Sequence, residues 1–456
     1  MTKRILICSL LAIGGLWFLS PQIAAGGGSG ETAGAEPRHG LDPVVLAGVA
    51  AMLIIAKLSG EIFERFRQPV VLGELIGGIL IGNLTLLGVM MAEPLKTDIV
   101  INALAELGVI ILLFEVGIES NLGEMLEVGW SSLLVAVAGV VTPFFLGWGV
   151  AAYFLPGEAT LGHIFIGATL CATSVGITAR VLKDLGALQS REARIILGAA
   201  VIDDVLGLLV LAVVAGAIKA EAAGAALSSW QVVIIALKAF TFLVGAILCG
   251  RYVISRLLHQ AGQLETRGVL LALSVSFCFL LAWLAALVGL APIVGAFAAG
   301  LVLDEAHFDS FRDQGEHRLE ELLRPVSALL TPIFFVLMGL KVDLRYFARW
   351  ELLGFATVLT LVAILGKQIC SLAVLERQVN RLAVGIGMAP RGEVGLIFAG
   401  IGATLMLPNA AGASEPVINT ATFGVVVLMV IATTLLTPPA LKWALQGAIR
   451  SRAIKS

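Results

Sequence analysis

Charge is what this sequence has least of. Only 14% of its 456 residues are Asp, Glu, Lys or Arg, against about 25% in an average soluble domain. A soluble chain of this length would divide into about three domains with polar surfaces, and the composition excludes that. The net charge of -2 leaves no excess of positive charge to hold a polyanion, which sets nucleic acid aside as a partner. The five cysteines (Cys8, Cys171, Cys249, Cys278, Cys370) show no Cys-x-x-Cys pair and no metal-ligand spacing. Each sits in an apolar run and reads as a small buried hydrophobe, not as part of a disulfide framework. Histidine is equally scarce. His39, His163, His259, His307 and His317 are expected in tails or loops, which disfavours a catalytic or metal site and leaves His307 or His317 as candidate pH sensors. What the chain does have is 59% hydrophobic residues, a mean hydropathy of +0.99, and apolar runs of about 20 residues almost end to end, long enough to cross a bilayer. Its 51 glycines suit helices that pack closely in lipid.

The beginning differs from the rest. Lys3 and Arg4 precede an apolar run over residues 5–18, followed by Pro21-Gln22-Ile23-Ala24-Ala25 and a Gly-rich stretch. That pattern predicts a cleaved signal peptide over 1–25, an uncleaved anchor being the alternative. Residues 26–41 then read as a flexible polar tail outside the cytoplasm, and 446–456 as a cytoplasmic tail too short for a soluble domain.

Between them the hydropathy predicts an all-α polytopic membrane protein with about thirteen spans, at 42–62, 69–87, 98–118, 127–154, 159–183, 191–217, 229–255, 267–287, 289–304, 323–341, 351–372, 380–405 and 416–441. The basic residues test this map, because Lys and Arg in short loops stay cytoplasmic. Of the 30, Lys3 and Arg4 belong to the leader, and Lys57, Lys238, Lys367 and Arg391 fall inside spans. With an outer start, six (Arg38, Lys96, Lys219, Lys341, Arg345, Arg349) land outside and the remaining 18 land in the cytoplasm. An odd number of spans with a cytoplasmic end is therefore self-consistent.

A charge at the bilayer centre costs at least about 2.5 kcal/mol, so it is a functional candidate by default. The strongest are Asp203 and Asp204, side by side in Ala199-Ala200-Val201-Ile202-Asp203-Asp204-Val205-Leu206-Gly207, then Lys367, Arg391 and Glu393. Adjacent residues point about 100° apart on a helix, so one Asp can meet a fixed cation while the other lines a wet pocket. Lys367 falls mid-span, too deep to reach water easily, and needs a carboxylate partner. Lys57, Glu74, Glu106, Glu115 and Lys238 are weaker candidates, expected at span ends or in ordinary helix contacts.

Two spans read as broken. The fifth holds Cys171-Ala172-Thr173-Ser174-Val175-Gly176-Ile177-Thr178, and the twelfth holds Gly387-Met388-Ala389-Pro390-Arg391-Gly392-Glu393. Backbone freed at depth is tolerated where it lines a cavity or is buried in protein. Interrupted helices at matching places in two halves point to an inverted repeat with its site at the midplane. The repeats would be spans four to six and eleven to thirteen, with Arg391 and Glu393 compensating the helix-end dipoles and the oxygens freed near Thr173 helping to ligate a cation.

These residues resemble the bacterial NapA-type sodium/proton antiporters of the cation/proton antiporter superfamily, over roughly 42–445. The resemblance is carried by Pro69-Val70-Val71-Leu72-Gly73-Glu74, Ala105-Glu106-Leu107-Gly108, Leu112-Leu113-Phe114-Glu115-Val116-Gly117, Ala172-Thr173-Ser174-Val175-Gly176, Asp203-Asp204 and Pro390-Arg391-Gly392-Glu393. It implies a homodimer in the bacterial inner membrane, with a core (127–217 and 351–441) that moves like an elevator against a dimerisation scaffold (42–118 and 267–341), joined by a linker helix (229–255). It implies no cofactor and no enzymatic activity; the transported species are Na+ or Li+ and H+. By position, Asp204 resembles the carboxylate that takes either cation or proton, with Thr173 and Ser174 beside it, and Asp203 resembles the partner of Lys367. The Asp-Asp-Lys set resembles electrogenic members. A potassium/proton exchanger on the same scaffold is the nearest alternative. A sodium-coupled symporter fits less well, as does an intramembrane aspartyl protease, whose two acids should come from separate helices.

Overall fold

The computed structural model describes residues 43–66, 68–87, 92–119, 129–184, 187, 190–222, 229–261, 268–303, 318–376, 378–408 and 414–453. The expected leader and polar tail lie outside the described residues, as do His39, His307 and His317.

The chain is a succession of apolar helices. We label them α1 (Pro43–Arg65), α2 (Val70–Gly82), α3 (Ile99–Glu119), α4 (Trp130–Phe154), α5 (Thr160–Thr169), α6 (Val175–Asp184), α7 (Arg191–Ala222), α8 (Ser229–Ala261), α9 (Val269–Leu287), α10 (Pro292–Val302), α11 (Leu319–Leu340), α12 (Trp350–Cys370), α13 (Arg381–Gly387), α14 (Gly392–Thr404) and α15 (Thr420–Ala453). Among the described residues, eight helices are long and apolar enough to cross a membrane and five apolar segments are shorter. Together they coincide with the thirteen spans read from the sequence. The last helix runs on to Ala453, past its expected limit at 441.

The helices are apolar on their outer faces as well as their inner ones. On α1, Val45, Met52 and Ala56 are buried, while Leu46, Ile54 and Ile62 lie on the exposed surface. A helix that is hydrophobic all round belongs in lipid, where its backbone bonds are satisfied internally. Trp130, Tyr153, Trp230 and Trp350 are all strongly exposed and sit at helix ends, where amphipathic rings settle at the headgroup level.

Packing gathers the helices into two groups. In one, α3 lies against α10 and α11, and α2 lies against α1 and α11; in the other, α4 lies against α5, α7 and α12, and α15 lies against α12 and α14. Helix α8 touches both, through α7 and α10. In the first group the crossings are glycine on glycine: Gly78 of α2 meets Gly339 of α11, and Gly117 of α3 meets Gly300 of α10. Small residues let backbones approach closely where lipid supplies no hydrophobic drive for association.

Strands β1 (Met406–Pro408) and β2 (Ser414–Pro416) pair antiparallel between α14 and α15. They form a small structure that the sequence reading does not anticipate. Val417 N–H donates to Leu405 O (2.8 Å) and Ile418 N–H to Gly402 O (3.0 Å), so the hairpin ties the end of α14 to the start of α15. His163 is not a loop residue, as expected, but a buried residue of α5. The gap after α4 is short enough for the His163 Nε2 to lie 2.7 Å from Leu155 O.

At the same corner Asn419 caps α15 through Thr422 N–H (2.9 Å) and donates from Nδ2 to Glu158 Oε1 (2.8 Å). Burial pushes the Glu158 carboxyl above its ordinary value of 4.5, His163 opposes this and Glu415 adds to it. A carboxyl that keeps its proton to higher pH in the folded state favours folding at low pH. That contribution declines as pH rises from the ordinary glutamate range through the raised native value. Amide exchange over 414–423, corrected for intrinsic rates, should therefore lose protection as pH rises above the ordinary glutamate range in the wild type, and less in Glu158→Gln. Equal losses would contradict this.

Candidate functional site

The site is assembled where two interrupted helices cross beside α7. Helix α5 ends at Thr169 and α6 begins at Val175; α13 ends at Gly387 and α14 begins at Gly392. Four hydrogen-bonding carbonyls at each helix end have no partner within the helix, and in a dry interior each must find one elsewhere. The two breaks partly satisfy one another. Ser174 N–H donates to Pro390 O (2.8 Å), Thr173 Oγ1 to Met388 O (3.2 Å) and Thr178 Oγ1 to Gly387 O (2.6 Å). The approach is close enough to require glycine at 392. Its φ is +34°, and a Cβ there would stand 2.5 Å from the Ser174 Cβ.

Two carbonyls on the first break, those of Cys171 and Ala172, are taken by cationic side chains. Arg391, fully buried, donates from Nη1 to Ala172 O (2.7 Å) and Cys171 O (3.3 Å), and from Nη2 to Ala363 O of α12 (3.2 Å). Lys367 Nζ, also fully buried, donates to the same Cys171 O (2.8 Å) and to Asp203 Oδ1 (2.8 Å). The charge compensation expected of Arg391 is thus present as direct hydrogen bonds. The oxygens of Cys171 and Ala172 accept from the protein's own cations.

The Asp203–Lys367 contact is an ion pair with both side chains at 0% exposure. Removing one partner of such a pair costs about 3–5 kcal/mol because a bare charge is left behind. Opening the pair with both partners charged would leave two bare charges in a dry core. Asp203 Oδ2 has no hydrogen-bond partner among the described residues. Asp204, on the adjacent face, is 7% exposed, the most open of the charged residues at the crossing. One turn along, Gly207 packs against Ala172, which holds this stretch of α7 against the first break.

The structure therefore brings Asp203, Lys367, Arg391, Thr173 and Ser174 into one connected network and sets Asp204 at its edge. Lys367 lies in the last turn of α12, not halfway along it as expected. It is nonetheless fully buried, enclosed by Asp203, Cys171 and Gly139. Glu393 occupies the first turn of α14, and its side chain lies outside the described residues.

The weaker candidates are not part of the network. Glu115 accepts from Ser327 Oγ (2.7 Å), Glu74 is buried on α2, and Lys57, Glu106 and Lys238 are exposed. Sequence reasoning missed Thr178, whose signal was its position one turn past Thr173 and Ser174. It also missed Glu192, a buried acid that accepts from Asn380 N–H (3.0 Å) where Asn380 caps α13. Among the described residues no group of three His, Cys, Asp or Glu is placed to hold a metal ion.

Comparison with known proteins agrees with this geometry. The family model described as "Sodium/hydrogen exchanger, transmembrane" matches residues 49–447. The chain is 40% identical over 457 residues to the high-affinity Na+/H+ antiporter NhaS3 of Synechocystis, covering 92% of this chain and 94% of that protein. It is 32% identical over 413 residues to the Na+/H+-K+ antiporter GerN of Bacillus cereus, covering 90% and 97%. In fold it resembles the sodium proton antiporter MjNhaP1 of Methanocaldococcus jannaschii, with a TM-score of 0.66 at 15% identity over 89% of this chain and 97% of that one. Crossed broken helices beside a buried Asp–Lys pair, and a family match over most of the length, lead to one conclusion: the chain belongs to the transmembrane sodium/hydrogen exchanger family.

Proposed function

We propose that this protein is a secondary antiporter that exchanges Na+, or Li+, for H+ across the bacterial inner membrane, with its N-terminus outside and its C-terminus in the cytoplasm. The observation that carries the reading is Asp204, a slightly exposed carboxylate beside a sealed Asp203–Lys367 pair. A carboxylate at the edge of a dry core binds a proton or a monovalent cation, but poorly both at once. Competition at one group then couples the two fluxes. The Thr173 and Ser174 hydroxyls lie in the break alongside. The sealed pair adds a second proton-linked element, and since the groups interact their titration belongs to the cluster. Charge carried by Lys367 would make exchange electrogenic.

The helices of the second packing group would form the moving core, and the first group the dimerisation scaffold with α8 as linker. Support comes from the way contacts concentrate within each group. Orientation rests on the excess of Lys and Arg on one side, the pattern that keeps loops cytoplasmic. A second reading, potassium exchange, is favoured by one specific observation, the K+ in the name of the Bacillus cereus relative.

Two substitutions test the roles. Asp204→Asn in proteoliposomes should reduce sodium-dependent proton flux to the protein-free background; retained flux would remove Asp204 from its assigned place. Lys367→Gln should lower the charge moved per sodium exchanged, read as membrane current against tracer sodium flux. A variant that still moves the wild-type charge per ion would contradict the role given to Lys367.

A further inference from the structure

Helix α4 passes the Asp203–Lys367 pair at Gly139. A methyl group built on Gly139 would stand 3.2 Å from Lys367 Nζ, 3.5 Å from Asp203 Oδ1 and 3.6 Å from Lys367 Cδ. The three nearest atoms thus all belong to the pair. Any side chain at this position would meet the pair before anything else.

The contact would be tighter than the roughly 3.5–4.0 Å of ordinary packing, so something would have to yield. Lys367 Nζ is pinned by two hydrogen bonds of 2.8 Å, to Asp203 Oδ1 and Cys171 O. Nor can α4 easily withdraw. Gly366 of α12 packs on Pro143, where a Cβ would stand 3.0 Å from the Pro143 Cα, and Gly167 of α5 packs against α4 at Gly147, where a Cβ would stand 3.1 Å from the Gly167 Cα. These contacts hold the helix one and two turns beyond Gly139. Pro143 also has no N–H to give the carbonyl of Gly139, four residues earlier. The pair has unused capacity: an ammonium has three donors, and Asp203 Oδ2 has no partner among the described residues.

We propose that Gly139 is a positioning residue for exchange: by presenting only a hydrogen to the pair, it leaves the space into which the Lys367 ammonium moves when it parts from Asp203. This rests on the reading that the pair takes part in exchange. It differs from ordinary helix packing in its consequence. Away from such a contact, Gly→Ala in a helix interior stabilises. Here the sign reverses, because the methyl crowds a pinned cation.

The test is a double-mutant cycle on the full-length protein, with Gly139→Ala made alone and together with Lys367→Gln. In detergent, Gly139→Ala should lower the unfolding temperature by roughly 2 °C or more when Lys367 is present. It should leave the temperature unchanged or raise it in the Lys367→Gln background, where no ammonium is crowded. In proteoliposomes, Gly139→Ala should move the pH of half-maximal sodium-dependent proton flux by about 0.5 unit or more while the half-saturating sodium concentration changes less than about twofold. The same temperature change in both backgrounds would overturn the contact argument. A reversed sign with an unmoved pH profile would overturn the positioning role, while loss of flux in Asp204→Asn would still uphold the exchange reading on its own.

Discussion

The whole arrangement depends on one electrostatic constraint: backbone carbonyls opened inside a membrane protein must find donors, and where those donors are charged the charge must be balanced. Breaking α5 from α6 exposes the oxygens of Cys171 and Ala172, and Lys367 and Arg391 converge on them. Two cations in a dry core require anions, and α7 supplies Asp203 and Asp204. Each feature that looks costly alone is justified by another. An intact fifth helix would leave Arg391 with no acceptor there, and without Asp203 the Lys367 ammonium would keep only a neutral carbonyl.

Under the proposed function, this mutual dependence lets a proton act as a switch. With the pair sealed and both partners charged, separation leaves bare charge in low dielectric. With one partner neutralised, Lys367 still rests on Cys171 O while Asp203 is released. On that proposal the site has two arrangements that differ by a proton, and both keep the Cys171 oxygen met by Lys367. Asp204 shares the helix and the neighbourhood but not the seal, and in the proposed function it is the group that meets the transported ion.

Much of this was legible in the sequence because the background is so apolar. Against runs of Leu, Val, Ala and Ile, Asp203, Asp204, Lys367 and Arg391 stand out individually, and Pro390 with its neighbouring glycines marks the second break. Spans are legible because lipid demands apolar length from every helix. What stayed hidden is set by tertiary neighbours. Nothing local to Gly139 says that an ammonium lies beside it. Thr178 could equally have bonded back into its own helix. His163 looked like a loop residue because its burial depends on the carbonyl of Leu155 folding over it. The hairpin at Met406–Pro408 and Ser414–Pro416 carries a proline in each strand and no alternation of polar and apolar residues, so no strand pattern announced it. The donors to the Cys171 and Ala172 oxygens were hidden for the same reason: the sequence shows that a break frees them, but not that Lys367 and Arg391 converge on them.

The most direct measurement is proton flux in proteoliposomes driven in turn by lithium, sodium and potassium, with the membrane voltage clamped and unclamped. Exchange at Asp204 beside a charge-carrying Lys367 predicts proton flux evoked by sodium and lithium that changes with the clamped voltage. Proton flux that none of the three cations evokes, or cation-driven flux indifferent to voltage, would contradict it.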